Sequence, residues 1–311
     1  MATTSTASTA TPAQIQAETI QEWYPLTDDL FFLEGKELAF MKAQTGIEDE
    51  EELKQHIISV TREAYAVFPF PCIRRFNHLK FKFAGLPGYD QVLKLGRERE
   101  GAILLDIGCC FGNDIRTAVA DGFPAKQLIA TDLYGEYWAL GHKLFRSTSA
   151  SFPASFIAGD AFNPEHLAVM PPLYESTSEP TPDLSMLTSL NPLHGHVSAI
   201  HASSFFHLFD EEKQAHIAQA LAGLLSPLPG SIILGSHAGR HAKGSQVHKV
   251  GPNKDNGSFT FFFHSPESWT ELWDGQVFKK GTVKVETRLV EYTAGPDGEM
   301  VYFLQWCVTR L

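Results

Sequence analysis

Cysteine is scarce in this chain of 311 residues: only Cys72, Cys109, Cys110 and Cys307 are present. Four cysteines in a chain of this size do not build a disulfide framework. Cys109 and Cys110 are adjacent, so a bridge between them would be strained. No Cys-x-x-Cys pair offers a zinc site. Long apolar runs are also missing. None reaches the ~18–20 residues needed to cross a bilayer, so no membrane span is expected. Basic residues are outnumbered, 25 Lys and Arg against 36 Asp and Glu, for a formal net charge of −11 at pH 7. Without a basic face, a nucleic-acid partner is not expected. The start of the chain, Ala2 to Ala13, has neither the basic nor the apolar region of a secretory signal. It reads as a disordered tail on a cytoplasmic protein, monomeric or homodimeric.

What is present is ordinary globular material, 43% hydrophobic and 20% charged, enough for a large domain with a cap. Its strongest signal lies between Ala102 and Asp132. Ile103-Leu104-Leu105-Asp106 reads as a short buried strand ended by an acid. Ile107-Gly108-Cys109-Cys110-Phe111-Gly112 is a tight turn of small residues. A helix follows from about Asn113 to Asp121, with Gly122 as its stop. Leu128-Ile129-Ala130-Thr131 makes the next strand, with Asp132 at its tip. Strand, glycine turn, helix, strand and acid form a nucleotide-binding βαβ unit.

Each part has a physical task. Glycine lets backbone approach where a side chain would collide, and the helix start leaves N–H groups free. Asp132 stands 20 residues after Gly112, placed to accept hydrogen bonds from a ribose diol. Dinucleotide sites use Gly-x-Gly-x-x-Gly. Here the order is Asp106-x-Gly108-x-Cys110-x-Gly112, which follows the acid-x-Gly-x-Gly-x-Gly turn of class I methyltransferases with Cys110 in place of the middle glycine. Asp106 is expected to steady that turn.

Before this unit, residues 14–98 read as a helical cap and linker: one helix over Ala13 to Tyr24, a second over Asp28 to Thr45, and a third over Ile47 to Val67. Leu53, Ile57, Val60, Ala64 and Val67 fall at spacings of three and four in the third. Phe68-Pro69-Phe70-Pro71 then forces an extended path. It is either a packed linker or an aromatic wall of a pocket. Tyr89 to Arg97 is a short helix. After Asp132 come a helix (Tyr134 to Phe145) and a third strand (Ser155 to Gly159). Asp160 follows, expected to hold an adenine amino group beside Ala161 and Phe162, or to cap a short Pro164–Val169 helix. Val197 to Ala202 is the fourth strand, with Ser203 at its ligand-facing end. Ser231 to Leu234 is the fifth. Ser236 to Gly257 reads as a lid or substrate loop. Thr282 to Tyr292 and Glu299 to Thr309 alternate as a closing antiparallel hairpin around Gly295-Pro296-Asp297-Gly298. The expected architecture is α/β: a Rossmann-like seven-stranded class I methyltransferase sheet over residues 99–311.

Several segments together resemble fungal secondary-metabolite methyltransferases, including the enzymes that esterify carboxyl groups of meroterpenoid intermediates. They are Val67-Phe68-Pro69-Phe70-Pro71-Cys72-Ile73, the Leu105 to Arg116 turn and helix, and Thr131-Asp132-Leu133 with Tyr137-Trp138-x-Leu140-Gly141. Ile200 to Phe209 and Phe263 to Trp269 extend the match. The resemblance implies S-adenosyl-L-methionine as cofactor and a small lipophilic acceptor. The cofactor residues expected are Asp106, Gly108, Cys109, Cys110, Gly112, Asp132, Leu133, Asp160, Ala161, Phe162, Ala202 and Ser203.

Methyl transfer from a sulfonium needs alignment and exclusion of water more than it needs covalent help. A carboxylate acceptor, with pKa near ~4, arrives ionised, whereas a phenol near ~10 needs a base. His207, past the fourth strand, is the candidate base or orienting group. Trp23, Tyr24, Phe70 and Phe206 are candidate substrate contacts. The other histidines are scattered and the loops hold no acid cluster of the kind magnesium takes, so no metal is expected. The leading reading is an O-methyltransferase acting on a carboxylate or phenol. N- or C-methylation of a small molecule, or cofactor binding without catalysis, are the alternatives.

Overall fold

In the computed structural model, residues 20–249, 258–294 and 299–311 are described. Among the described residues there are nine strands: β1 (Ile103–Ile107), β2 (Leu128–Asp132), β3 (Ser155–Ala158), β4 (Val197–His201), β5 (Ile232–Ala238), β6 (Gly244–Lys249), β7 (Ser258–Phe263), β8 (Val283–Ala294) and β9 (Glu299–Arg310). Seven of them form one sheet in the order β3-β2-β1-β4-β5-β9-β8. The pairs from β3 to β5 are parallel, while β9 lies antiparallel between β5 and β8. This is the expected class I methyltransferase sheet. Every residue of β1 and β4 is buried, as parallel strands covered on both faces require. The chain runs outward from β1 to β3 and then restarts on the other side at β4. The switch point therefore lies between the C-terminal ends of β1 and β4, where open α/β sheets bind ligands.

Helices α1 (Gly35–Thr45), α2 (Glu50–Val67), α3 (Tyr89–Glu98), α4 (Asn113–Ala120), α5 (Gly135–Leu144), α6 (Glu211–Leu224) and α7 (Pro266–Trp273) surround the sheet. One apolar cluster joins β4 and β5 to α6 and α7 around Phe206, Trp269, Trp273 and Trp306. A second lies on the opposite face with α3 and α4. The third is built by α1 and α2 and closes over Phe111, Tyr137, Leu144 and Phe145. In α2 the Asp49 side chain caps the start by accepting from the Glu52 N–H at 2.8 Å. Leu53, Ile57, Val60 and Ala64 form its buried stripe. The N-terminal helices thus pack against the glycine turn and α5 rather than standing apart. No helix among the described residues is long and apolar enough to cross a membrane.

Some expected elements differ. Only residues 20–24 of the helix expected over 13–24 are described; 20–23 are helical and 24 is a bend. The helix expected over 28–45 is broken. A single turn at Asp28–Leu30 is followed by extended chain, and α1 begins at Gly35 with φ of 58°. The break puts Phe31 edge-on against Phe76, ring centroids 5.4 Å apart. Residues 164–169 form turns, not a helix. The Asn191 side chain donates to the Pro164 and Glu165 carbonyls and accepts from Ala168 N–H, satisfying groups that a helix would have paired internally. The stretch expected to be a loop over 236–257 contains the end of β5 and the strand β6, which pairs antiparallel with β7 just beyond it. Buried Gln214 of α6 donates to the Phe262 carbonyl and ties that ribbon down. Residues 250–257, and the turn expected at 295–298, lie outside the described residues.

Candidate active site

The turn between β1 and α4 is held from β2. The Thr131 carbonyl accepts from both Gly108 and Cys109 N–H, at 2.9 and 3.2 Å. Three residues of the turn take left-handed backbone: Gly108 (φ 70°), Cys110 (φ 49°) and Gly112 (φ 69°). That conformation costs a non-glycine residue roughly 1–2 kcal/mol. At Cys110 a specific bond offsets the cost: its N–H donates to Asp132 Oδ2 at 2.9 Å. The middle position therefore tolerates a side chain because an acid on the neighbouring strand fixes its backbone.

The glycines are used in an unexpected way. A Cβ on Gly108 would lie 2.8 Å from the Phe205 ring, and one on Gly112 would lie 2.7 Å from Trp138. Room expected for a ligand is partly taken by the chain's own aromatic rings. Gly141 of α5 matters equally, since a Cβ there would meet the Phe111 carbonyl oxygen at 2.3 Å. Its absence lets α5 lie against the turn. Burial pushes the Cys109 and Cys110 thiols well up, so both stay protonated.

Asp132 projects from the tip of β2 and accepts from Tyr134 N–H at 3.1 Å as well as from Cys110. Burial raises its pKa, and the backbone N–H groups of Cys110, Tyr134 and Leu133 work against that rise. Each carboxylate oxygen has a second lone pair, so acceptor capacity toward a diol remains. Leu133, next in the chain, is exposed. Phe68, Phe70, Tyr134 and Tyr137 gather beside this acid, with Phe68 stacked on Tyr134 at 5.7 Å and Phe70 near both tyrosines at 6.3 Å. The Tyr137 hydroxyl donates to the Phe68 carbonyl, 3.0 Å, which fixes the proline-rich segment over the turn.

At the switch point, His201 Nδ1 donates to Asp106 Oδ1 at 2.8 Å, and its Nε2 lies 2.7 Å from Ser203 Oγ. Ser203 Oγ also accepts from Ser236 N–H at 3.2 Å. Ala202 is buried, its N–H bonded to the Leu234 carbonyl. Phe83 covers the imidazole of His201, ring centroids 4.2 Å apart. Burial raises the Asp106 pKa, opposed by His201. Sequence reasoning missed this pairing, because the two residues are 95 positions apart.

On the β3 side, Asp160 is exposed and its Oδ1 accepts from Phe162 N–H at 2.9 Å. The Phe162 N–H is therefore used within the turn itself. Ala161 and Phe162 are half-buried, with Phe162 edge-on to Phe209 at 5.0 Å.

The expectation for Phe206 is corrected. It is fully buried, edge-on to Trp269 at 4.9 Å and to Trp306 at 5.7 Å, so it is a core residue and not a substrate contact. The one-turn Phe206–Leu208 helix points it inward, and the preceding Phe205 is the ring that faces the glycine turn. His207 is half-buried, and its Nδ1 is buried without a hydrogen-bond partner. Burial, then the Lys82 charge, lowers its pKa to about 4, so the ring is neutral near pH 7. Trp23 is half-buried and Tyr24 exposed. The Tyr24 carbonyl accepts from the Tyr65 hydroxyl of α2.

The chain is similar to known proteins over most of its length. A family described as the meroterpenoid methyltransferase N-terminal domain matches residues 23–79. The Asnovolin E/Chermesin D methyltransferase nvfJ of Aspergillus novofumigatus is 33% identical over 222 residues, 71% of this chain and 69% of that protein. The O-methyltransferase phiE of a fungal species is 30% identical over 232 residues, 75% of this chain and 68% of its own. The O-methyltransferase atr3 of Stereocaulon alpinum is 29% identical over 240 residues, 77% of this chain but 61% of its own.

Proposed function

Because the chain belongs to the family of fungal secondary-metabolite methyltransferases, we propose that it is an O-methyltransferase for a carboxylate or phenol of a small lipophilic acceptor. The enzyme class and its cofactor, S-adenosyl-L-methionine, go with that family and with the sheet. The residue roles, the acceptor and its methylated oxygen are what is proposed. So are the division into a cap over residues 14–98 and a cofactor domain over 99–311, the cytoplasmic location, the monomeric or homodimeric state and the lack of a nucleic-acid partner.

The observation that carries the reading is Asp132. It is a half-buried acid at the tip of β2, bonded to the backbone of the glycine turn and still able to accept. The donor set fits a nucleoside with a free diol. Asp132 would hold the sugar. Leu133 and the 160–162 turn would border the base. The 108–112 turn would border the amino-acid part, with Ala202 and Ser203 across the switch point. When bound, the cofactor supplies a sulfonium-activated methyl group.

The rest falls to the chain's own side chains. Phe70, with Phe68, Tyr134 and Tyr137, offers an apolar surface that excludes water from the approach to Asp132. Trp23 and Tyr24 would extend that surface from the cap. His207 Nδ1 is buried, neutral and unpaired. It takes the proton of a phenol, or, protonated on that nitrogen, donates to a carboxylate. The test is mass spectrometry of fungal small-molecule extracts incubated with enzyme and methyl-labelled S-adenosylmethionine. A labelled ester or ether absent from boiled-enzyme controls is expected. Label only on nitrogen or carbon, or on nothing, contradicts the reading.

A further inference from the structure

Residues 80–83 form a short strap over the C-terminal ends of β1 and β4. Their position is fixed by Phe83, fully buried and packed 4.2 Å from the His201 ring at the switch point. Two lysines around the strap have aromatic partners. The Lys80 ammonium lies over the Phe32 ring at 4.6 Å, and Lys36 lies over Phe81 at 5.5 Å. Lys82 differs. It is half-buried, and among the described residues its ammonium has no hydrogen bond, ion pair or aromatic partner.

Five groups feel its charge: Cys72 and His78 of the N-terminal layer, Cys110 of the glycine turn, and His201 and His207 beyond β4. A charge bearing on all five sits between the cap and the strand ends. An ammonium without a counter-charge is left free to pair with an anion.

We propose that Lys82 is the carboxylate-binding residue of the site, pairing with a carboxylate carried in by a ligand. Two ligands of the proposed reaction bring that group: the methionine end of the methyl donor, and an acid acceptor before it is esterified. The inference rests on the methyltransferase reading. It adds a positively charged contact that the acids at the strand ends, Asp106, Asp132 and Asp160, do not provide.

Calorimetry distinguishes the sources. The probes are S-adenosylhomocysteine, methylthioadenosine (the same nucleoside without the amino-acid carboxylate), and cyclohexanecarboxylate added to the S-adenosylhomocysteine complex. Lys82→Gln is compared with wild type and with Lys80→Gln, a control on the same strap. A charge-assisted bond predicts about a tenfold or greater loss of affinity in Lys82→Gln. A loss for S-adenosylhomocysteine but not for methylthioadenosine assigns the donor carboxylate. A loss for cyclohexanecarboxylate alone assigns the acceptor. Wild-type affinities for all three probes in a folded Lys82→Gln overturn the proposal while leaving the enzyme class intact. Equal losses for S-adenosylhomocysteine and methylthioadenosine, or the same losses in Lys80→Gln, also overturn it. A wild type that binds neither nucleoside defeats the methyl-donor reading itself.

Discussion

Asp106 and His201 face each other across β1 and β4, 2.8 Å apart and both almost fully buried. Burial alone would lower the His201 pKa, but the Asp106 charge and hydrogen bond carry it above its ordinary value. Removing one member of such a pair leaves the other uncompensated, at a cost of about 3–5 kcal/mol. Urea unfolding of Asp106→Asn and of His201→Gln is therefore expected to show large losses. The double variant should lose less than the two singles added together. Additive losses would mean that the two side chains do not act as a pair. The stabilisation from a raised histidine pKa is present below about 6.5. It fades as pH rises through the folded value.

Two other histidines give the opposite dependence. Burial lowers His78 to about 3 and His264 to about 4. A depressed folded pKa gives stability that is present above the unfolded value of about 6.5 and lost as pH falls through the folded one. The urea midpoint should fall between pH 6.5 and 4, and His78→Gln should flatten that decline. An unchanged midpoint across this range contradicts neutral burial of these rings.

Gly141 predicts a sharp contrast. Alanine there would push Cβ against a backbone oxygen, which cannot rotate away. A loss of more than ~2 kcal/mol is expected in thermal or urea unfolding, by analogy with overpacked cores. Gly85, with open space around its α-carbon and no left-handed φ, should accept alanine within about 0.5 kcal/mol. Equal effects at the two positions would remove the close approach as the cause.

His207 makes a kinetic prediction. If it accepts a phenol proton, turnover is lost as pH falls through the pKa of about 4. In His207→Gln that acid limb should vanish, with turnover reduced by roughly 10²–10⁴-fold. An unchanged acid limb in the variant removes His207 as the base. A wild-type profile without the limb favours an acceptor that arrives ionised.

The path from β1 through Asp132 was legible because every step has a local signature: an apolar run, turn-forming glycines and an acid at a strand tip. The stripe of α2 was legible from spacings of three and four. What escaped has no local period. His201 lies within a wholly buried strand, and its meaning comes from Asp106 on another strand. Phe205 and Phe206 follow β4 in a one-turn helix, where neither strand nor helix periodicity says which ring turns inward. Lys82 is ordinary in sequence. It stands out only because Phe83 pins its strap to His201 and the neighbouring lysine, Lys80, finds an aromatic partner. The β6–β7 ribbon was hidden because β6, Gly-Ser-Gln-Val-His-Lys, has a single apolar side chain and so no alternation to read.

The central claim is that Asp132 grips the sugar of a methyl-donor nucleoside beside the glycine turn. Calorimetric titration of S-adenosylhomocysteine into wild type and Asp132→Ala tests it most directly. The account predicts binding by the wild type and affinity weaker by roughly 10–100-fold in the variant, the worth of a charge-assisted hydrogen bond. Equal affinity in the two proteins, or no binding by the wild type, would contradict it.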